Sequence, residues 1–258
     1  MTEPLVILEK PEAHIAVLRL NRPKQRNALS AGLRAELAAH ARAVSADTSI
    51  RVVILTGGPD NFAAGADLSE FVNLTATDMM RDKSWDDWQA VARIPQPVIA
   101  AVTGYCLGGG LELAMGADIL IAGENAKLGQ PEVRVGIMPG AGGTQRLTRA
   151  IGKFAAMHMI LTGTMISGKQ AHALGLASEV VEDARVLERA LEMAREMASL
   201  PPLALQSAKQ SVLMGESASP EQGMYLERKA FEVLFATNDK TEGMKAFLEK
   251  RKAEFKGE

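Results

Sequence analysis

Short apolar runs alternate with amphipathic segments over residues 1–200. The apolar runs are rich in aliphatic and β-branched side chains, and they predict strands at residues 5–8, 14–20, 51–56, 97–103 and 117–122. Apolar side chains at helical spacing predict helices at residues 30–46 and 109–116. The first two strands lead into a turn and predict a hairpin. The alternation of strand and helix that follows indicates an α/β core whose parallel strands are buried on both faces.

The segment beyond residue 200 carries helical patterns and no strand pattern. Helix signals are a capping box of Ser167 and Gln170, an amphipathic run at 184–199, a second capping box of Ser219 and Gln222, and a last run at about 241–252. These patterns divide the chain into an α/β core with the active site, residues 1–200, and an all-helical region, residues 201–258. Apolar side chains of the helical region either pack on the core or dock on neighbouring subunits, and the pattern leaves both open.

Composition argues against two classes of partner. The 258 residues include 29 basic and 31 acidic side chains, which leaves a formal charge of −2 and no electrostatic reason to expect nucleic acid or an anionic membrane.

The single cysteine, Cys106, excludes an intrachain disulfide. No apolar run is long enough for a membrane span, and the first residues lack the positive charge of a signal peptide. We therefore expect a cytoplasmic protein.

Three glycine-containing segments carry the residues that are suited to chemistry, at 62–68, 104–112 and 129–140. Small residues leave backbone N–H groups accessible to a ligand. The three glycines at 108–110 stand between a predicted strand and a helix, where free amides and the helix dipole stabilise negative charge. From the residues alone, an ordinary tight turn with Asp67 capping the next helix is the favoured interpretation of the first segment. For the second, a carboxylate at an ordinary helix start stays an alternative.

Two glutamates lie within these segments. Glu112 follows the glycines in an apolar stretch, which favours a raised carboxyl pKa, and Glu132 follows Pro131 and precedes a glycine-rich loop. Two carboxylates beside backbone donors suit proton transfer around a carbonyl whose developing charge the amides stabilise. The spacing along the chain does not itself bring the two glutamates together; the fold must do so.

Other chemistries lack the residues that they need. Neither the glycines at 108–110 nor those at 140–143 have the G-x-G-x-x-G spacing of a dinucleotide site, and Gly152-Lys153 precedes Phe154 where a P-loop needs Ser or Thr. The four histidines are scattered without the spacing of zinc ligands, and no G-x-S-x-G elbow is present. We therefore expect neither a metal nor a separate cofactor.

Several short motifs follow one another in a specific order: Leu20-Asn21-Arg22-Pro23, Asn27-Ala28-Leu29, FAAGADL, GYCLGGGLELAMGADI, GQPEVRVGIMPGAGGTQRL and the closing FLEKRKAEFKG. Together they resemble the crotonase superfamily, and within it the enoyl-CoA hydratases, over nearly the whole chain. The resemblance implies an α/β fold of the ClpP/crotonase type, a spiral of ββα units followed by a C-terminal helical trimerisation region. It also implies a homo-oligomer, either a trimer or a hexamer built as a dimer of trimers.

The resemblance also assigns the site residues. It implies an oxyanion hole formed by the backbone amides of Ala66 and Gly109, with Glu112 and Glu132 as the catalytic carboxylates. Further substrate contacts are implied for Ala64, Gly65, Asp67, Leu68, Gly108 and Gly140. The implied reaction adds water across the 2,3 double bond of a 2-enoyl-CoA, an acyl-CoA thioester, to give a 3-hydroxyacyl-CoA. Glu112 then activates the water and Glu132 assists proton delivery to the α-carbon, and CoA is part of the substrate.

Two alternatives accompany this interpretation. Double-bond isomerisation by a relative of this type commonly needs only one carboxylate, so the presence of both glutamates favours hydration. An RNA-binding relative is disfavoured by the balanced charge and by the lack of a basic stripe with interleaved aromatic residues. Ser69 stands where many hydratases carry lysine, so one phosphate contact is expected to be missing. Residues 73–91, with Trp85 and Trp88, are expected to border the acyl pocket, but they do not indicate the acyl-chain length.

Overall fold

Two β-sheets form the framework of the protein in the computed structural model, which describes residues 3–258. The strands are β1 (Val6–Glu12), β2 (Ile15–Leu20), β3 (Val52–Thr56), β4 (Val98–Val102), β5 (Tyr105–Leu107), β6 (Ile119–Gly123), β7 (Lys127–Gly129), β8 (Met165–Ser167) and β9 (Glu179–Val181). The larger sheet has the order β1-β2-β3-β4-β6-β9 and is parallel except for the β1–β2 hairpin. The smaller sheet has the order β5-β7-β8.

Helices follow the strands and then continue alone. They are α1 (Ala31–Ala46), α2 (Leu68–Phe71), α3 (Ala76–Arg81), α4 (Trp85–Trp88), α5 (Gly109–Ala114), α6 (Gly143–Ile151), α7 (Lys153–Thr162), α8 (Gly168–Ala173), α9 (Val186–Ala198), α10 (Pro202–Gly215), α11 (Pro220–Leu234) and α12 (Asn238–Glu249). Short 3₁₀ helices occupy Pro23–Gln25, Val91–Arg93, Glu132–Val135 and Asp183–Arg185. Among residues 3–258, no helix is both long enough and apolar enough to cross a membrane.

The five strands expected from the apolar runs are confirmed as β1, β2, β3, β4 and β6, and the hairpin and the α/β class are confirmed with them. The two expected capping boxes are present with both of their reciprocal hydrogen bonds. The last helix begins earlier than expected, because Thr237 accepts a hydrogen bond from the Lys240 N–H and caps it. Four strands of three residues, β5, β7, β8 and β9, are not predicted by the pattern.

The central strands are buried because helices cover both faces of the large sheet. Successive side chains of a strand point to opposite faces. Val53 and Leu55 of β3 therefore join one apolar cluster, which includes α1, whereas Val52 and Ile54 join another, which includes α9. This double burial explains why the strands read as nearly continuous apolar runs in the sequence.

Helix α10 is fastened to the core by a largely buried lysine. The Lys209 ammonium donates to the carbonyl oxygens of Ile94 (2.7 Å) and Gln96 (2.9 Å) and lies 2.7 Å from the Asp118 carboxylate. Asp118 in turn accepts a hydrogen bond from the Val98 N–H at the start of β4. Packing on the core is therefore observed for α10. The division of the chain at residue 200 into two units stays a prediction.

Candidate active site

A cavity of about 720 Å³ is bounded by segments 64–68, 108–112 and 131–141 and by helices α2 to α4. Glu112 and Glu132 both line it, together with Ala66 and Gly109. Most of the remaining wall is apolar: Leu68, Phe71, Leu74, Met79, Trp88, Val135, Ile137 and Met138. The fold therefore brings the two carboxylates and the two amides expected from the sequence to one apolar cavity.

Two backbone amides are free to bind a ligand at this cavity. Within residues 3–258, neither the Ala66 N–H nor the Gly109 N–H donates a hydrogen bond to another protein atom. The two residues are adjacent, because a Cβ atom added to Gly109 would lie 3.4 Å from the Ala66 nitrogen. Nearly all buried N–H groups have a partner in folded proteins. A neighbouring pair without one suits a carbonyl oxygen that gains negative charge.

Glycine is required where this pair of donors is built. Gly65 has φ +117° and Gly108 has φ +50°, and residues with a side chain rarely adopt such backbone conformations. Gly110 makes a close contact, since an added Cβ atom would lie 2.2 Å from the Ala63 carbonyl oxygen. These glycines allow α5 to begin directly against the 63–66 segment.

Glu112 is a buried carboxylate, 4% exposed, and is held through a single oxygen. Its Oε1 accepts hydrogen bonds from the N–H groups of Ala141 (2.6 Å) and Gly143 (2.7 Å). Gly143 is the first residue of α6, so the helix dipole also favours a negative charge here. Burial raises the Glu112 pKa, while the two amides and the Arg146 charge oppose that shift. No donor in the described part of the chain reaches Oε2, which leaves this oxygen for a water molecule.

Glu132 begins the 3₁₀ helix that follows β7 and lies against the glycines. An added Cβ atom on Gly108 would be 2.9 Å from Glu132 Oε1, which places the carboxyl beside the oxyanion segment. Burial, and to a smaller extent the nearby charge of Glu112, raise the pKa of Glu132 to about 7. One glutamate is therefore anchored by fixed donors, and the other can hold or release a proton near neutral pH.

Residues 10–258 match the family model described as Enoyl-CoA hydratase/isomerase. The chain belongs to this family. It is 45% identical over 246 residues to the 2,3-dehydroadipyl-CoA hydratase of Escherichia coli K12, a match that covers 95% of this chain and 96% of the relative. It is 46% identical over 242 residues to the mitochondrial enoyl-CoA hydratase of Pongo abelii, covering 94% of this chain and 83% of the relative.

Solved structures of the family have the same fold. The enoyl-CoA hydratase of Bacillus anthracis superposes with a TM-score of 0.93 at 39% identity, covering 98% of this chain and 100% of the other. The enoyl-CoA hydratase of Mycobacterium tuberculosis H37Rv superposes with a TM-score of 0.90 at 34% identity, covering 99% of this chain and 100% of the other. The crotonase-type fold expected from the sequence motifs is therefore confirmed.

The structure separates Asp67 from the other residues expected to contact the substrate. Five of the six line the cavity: Ala64, Gly65, Leu68, Gly108 and Gly140. The Asp67 carboxylate instead accepts hydrogen bonds from Arg22 Nη1 (2.9 Å) and Ser69 Oγ (2.6 Å), and it caps α2. Ser69 is thus part of this cap. A substrate contact by Asp67 stays a prediction, while its bonds show that it ties α2 to the Arg22 turn.

Asn27 is a structural residue of the site whose role the motifs did not reveal. It is buried, and its side-chain amide donates to the carbonyl oxygens of Gly57 (2.8 Å), Asn61 (2.9 Å) and Phe62 (3.1 Å). These three acceptors lie just before the segment that carries Ala66. Asn27 therefore fixes the loop that leads into the oxyanion segment by binding three of its carbonyl oxygens.

Gln130 is another residue whose role the sequence did not reveal. It is fully buried, and in the orientation that satisfies its neighbours its amide donates to Glu132 Oε1 (2.8 Å) and Oε2 (3.2 Å). The amide side chain also packs closely on Gly143, where an added Cβ atom would lie 2.7 Å away. Gln130 thus holds the Glu132 carboxyl beside the helix terminus that holds Glu112. Only its position two residues before Glu132 could have signalled this role.

Other reactive groups are not gathered at the cavity. Residues 3–258 contain no group of three or more His, Cys, Asp and Glu side chains arranged to hold a metal ion. Cys106 lies in the core, and burial raises its pKa, so its thiol stays protonated. The titratable side chains that line the cavity wall and have raised pKa values are the two glutamates.

Replacing Gln130 with leucine tests its hold on Glu132. An amide N–H that donates to a carboxylate favours its ionised form, so Gln130→Leu is expected to raise the Glu132 pKa relative to the unmodified protein. The measurement is an infrared titration of the carboxyl band that disappears in Glu132→Gln. The control is Gln145→Leu, which changes an exposed glutamine on α6. An unchanged Glu132 titration in Gln130→Leu would show that the amide does not bind this carboxylate.

Proposed function

We propose that this protein is a hydro-lyase that adds water across the 2,3 double bond of a 2-enoyl-CoA and forms a 3-hydroxyacyl-CoA. The observation that carries the proposal is the meeting of two free amides, Ala66 and Gly109, with two differently held carboxyls, Glu112 and Glu132, in one cavity. Relatives of the same length that carry hydratase names support it.

The amides would bind the thioester oxygen. As water adds to the β-carbon, negative charge moves onto this oxygen, and donors that are already in place stabilise it without rearrangement. In other oxyanion holes, loss of one donor costs about 3–4 kcal/mol of transition-state stabilisation. The amides of Ala66 and Gly109 are therefore proposed to make a large contribution to the rate.

The carboxyls would move the protons. Glu112, ionised and held through Oε1, takes a proton from the water through its free Oε2 while the hydroxyl adds to the β-carbon. Glu132, protonated at the start, gives its proton to the α-carbon; its pKa of about 7 suits this exchange near neutral pH. A proton then returns from Glu112 to Glu132 and restores both groups. CoA enters and leaves as part of the substrate, and no step needs another cofactor.

Isomerisation of the double bond is the second candidate. It needs one carboxyl that removes a proton and returns it to another carbon of the acyl chain. The cavity instead offers two carboxyls, and Oε2 of Glu112 accepts no hydrogen bond from the described residues, so it can bind the reacting water. This pair favours hydration over isomerisation.

Replacing each glutamate with glutamine tests the proposal. Glu112→Gln and Glu132→Gln are each expected to lower kcat for hydration of crotonyl-CoA by about 10²- to 10⁴-fold, the usual contribution of a general acid or base. In the unmodified protein, kcat/KM is expected to fall as the pH rises through about 7, because Glu132 loses the proton that it must donate. The decay of enoyl-thioester absorbance measures both effects.

The control variant is Glu182→Gln, which changes an exposed glutamate outside the cavity lining and should hydrate at the rate of the unmodified protein. A 3-enoyl-CoA is assayed in parallel. Isomerisation of that compound at a higher rate than hydration would favour the second candidate. Hydration that survives both glutamate substitutions would overturn the catalytic assignment.

We further propose that the protein works in the cytoplasm as a homotrimer or as a dimer of trimers. Helices α10 to α12 expose apolar side chains that the rest of residues 3–258 leaves uncovered: Val212, Leu213, Met214, Met224, Tyr225, Leu226, Phe231, Val233, Phe235, Met244, Phe247 and Leu248. An exposed apolar surface on this scale is typical of a protein–protein interface. The single buried thiol suits a reducing compartment.

Sedimentation of a charged variant tests the assembly. Phe231 and Phe235 lie edge to face on α11, with their ring centres 5.0 Å apart. Phe235→Asp is expected to reduce the measured mass from three or six times 27.6 kDa towards 27.6 kDa, because it puts a charge in an apolar interface. Phe154→Asp, on the exposed face of α7, is the matched control and should retain at least the trimer. A monomeric unmodified protein would contradict the proposal.

A further inference from the structure

Arg146 is a half-buried arginine on α6 that lies outside the cavity lining and belongs to no ion pair among the described residues. Its Nη1 donates to the Ala141 carbonyl oxygen (3.2 Å), and its Nη2 donates to Gln89 Oε1 (2.8 Å). The guanidinium also packs over Gly142, where an added Cβ atom would lie 3.0 Å from Nη1. The Arg146 guanidinium thus has no ion-pair partner within residues 3–258 and donates to two neutral acceptors.

Both acceptors belong to segments that form the site. Ala141 gives its N–H to Glu112 Oε1, so Arg146 holds the carbonyl of the very residue whose amide holds the carboxylate. Gln89 follows Trp88, whose ring would lie 2.9 Å from a Cβ atom on Gly109. One guanidinium therefore bridges the loop that anchors Glu112 and the segment that packs on the oxyanion amide.

We propose that Arg146 is a positioning residue: it fixes the 141–143 loop so that Glu112 keeps one oxygen anchored and the other free, and its positive charge favours the carboxylate form of Glu112. The inference rests on the proposed function, since it assigns Glu112 the role of base. Misplacement of a reacting group by about 1 Å can cost about 100-fold in rate. Contacts that hold the Glu112 carboxyl in one position are therefore expected to affect the rate even though they do not touch the substrate.

The charges around the pair agree with this role. Burial raises the Glu112 pKa and the Arg146 charge opposes the shift, while burial lowers the Arg146 pKa and the charges of Glu112 and Glu216 oppose that shift. Glu132 is the other titratable group that faces Glu112. Arg146 is thus the one side-chain cation among the described residues that acts against the burial of Glu112.

The test compares Arg146→Gln and Arg146→Lys with Arg149→Gln, an exposed arginine on the same helix. Arg146→Gln is expected to lower kcat for crotonyl-CoA by about 10- to 100-fold with KM nearly unchanged, as misplacement without loss of a substrate contact predicts. At low pH, kcat falls as Glu112 becomes protonated, and this acidic limb of the pH profile should move to higher pH in Arg146→Gln. The reason is that Glu112 loses the nearby cation, which favours its ionised form. Arg146→Lys keeps the positive charge but loses the planar guanidinium that donates to both Ala141 and Gln89. The acidic limb should therefore stay in place while kcat still falls. Arg149→Gln should match the unmodified protein.

A purely structural arginine would not move the acidic limb, and an unshifted limb in folded Arg146→Gln would overturn the proposal. So would equal losses in Arg146→Gln and Arg149→Gln. Infrared titration of the carboxyl band that disappears in Glu112→Gln provides a second measurement that needs no turnover. An unmodified protein without hydratase activity would refute the proposed function, whereas the Glu112 titration in Arg146→Gln would still decide whether Arg146 controls its charge. Should Arg146→Gln not fold, Arg146→Lys alone must show the loss of kcat.

Discussion

A carboxylate as deeply buried as Glu112 needs donors that are fixed in place, because an ionised group without partners is strongly destabilised in an apolar interior. The N–H groups of Ala141 and Gly143 meet this need at the start of α6, and they use only one of the two oxygens. The remaining features of the site follow from this arrangement. The free oxygen can face the cavity and the carboxyl cannot rotate away. Burial raises the pKa of Glu132, and the Glu112 charge adds a smaller contribution in the same direction.

The small sheet explains why residues distant in sequence meet at this point. Strands β5 and β7 run parallel, and Leu107 pairs with Gly129 at their ends. The chain therefore leaves both strands at the same edge, into the glycines before α5 on one side and into Gln130 and Glu132 on the other. Two carboxyls with different surroundings are the outcome: one is anchored at a helix terminus, and the other is held by an amide side chain.

Part of this could be predicted from the sequence, and the reasons for success differ. Strands β3 and β4 were predictable because burial on both faces demands an unbroken apolar run. Glu112 and Glu132, which the fold brings to one cavity, could be singled out because carboxylates are rare in apolar and glycine-rich surroundings, and their neighbours match the motifs of a family. Strands β5 and β7 were missed because three residues carry no periodicity. The contacts of Gln130 and Arg146, and the bonds of Asp67 to Arg22 and Ser69, could not be foreseen because they depend on partners that only the fold brings near.

The central claim is that the amides of Ala66 and Gly109 bind the thioester oxygen while the alkene faces the two carboxyls. A crystal structure of Glu112→Gln with crotonyl-CoA tests it most directly, since slow turnover would retain the substrate. The account predicts the thioester oxygen at about 2.7–3.1 Å from both amide nitrogens, the distance of an effective oxyanion hole, with the β-carbon towards residues 112 and 132. A thioester oxygen directed away from both amides would contradict it.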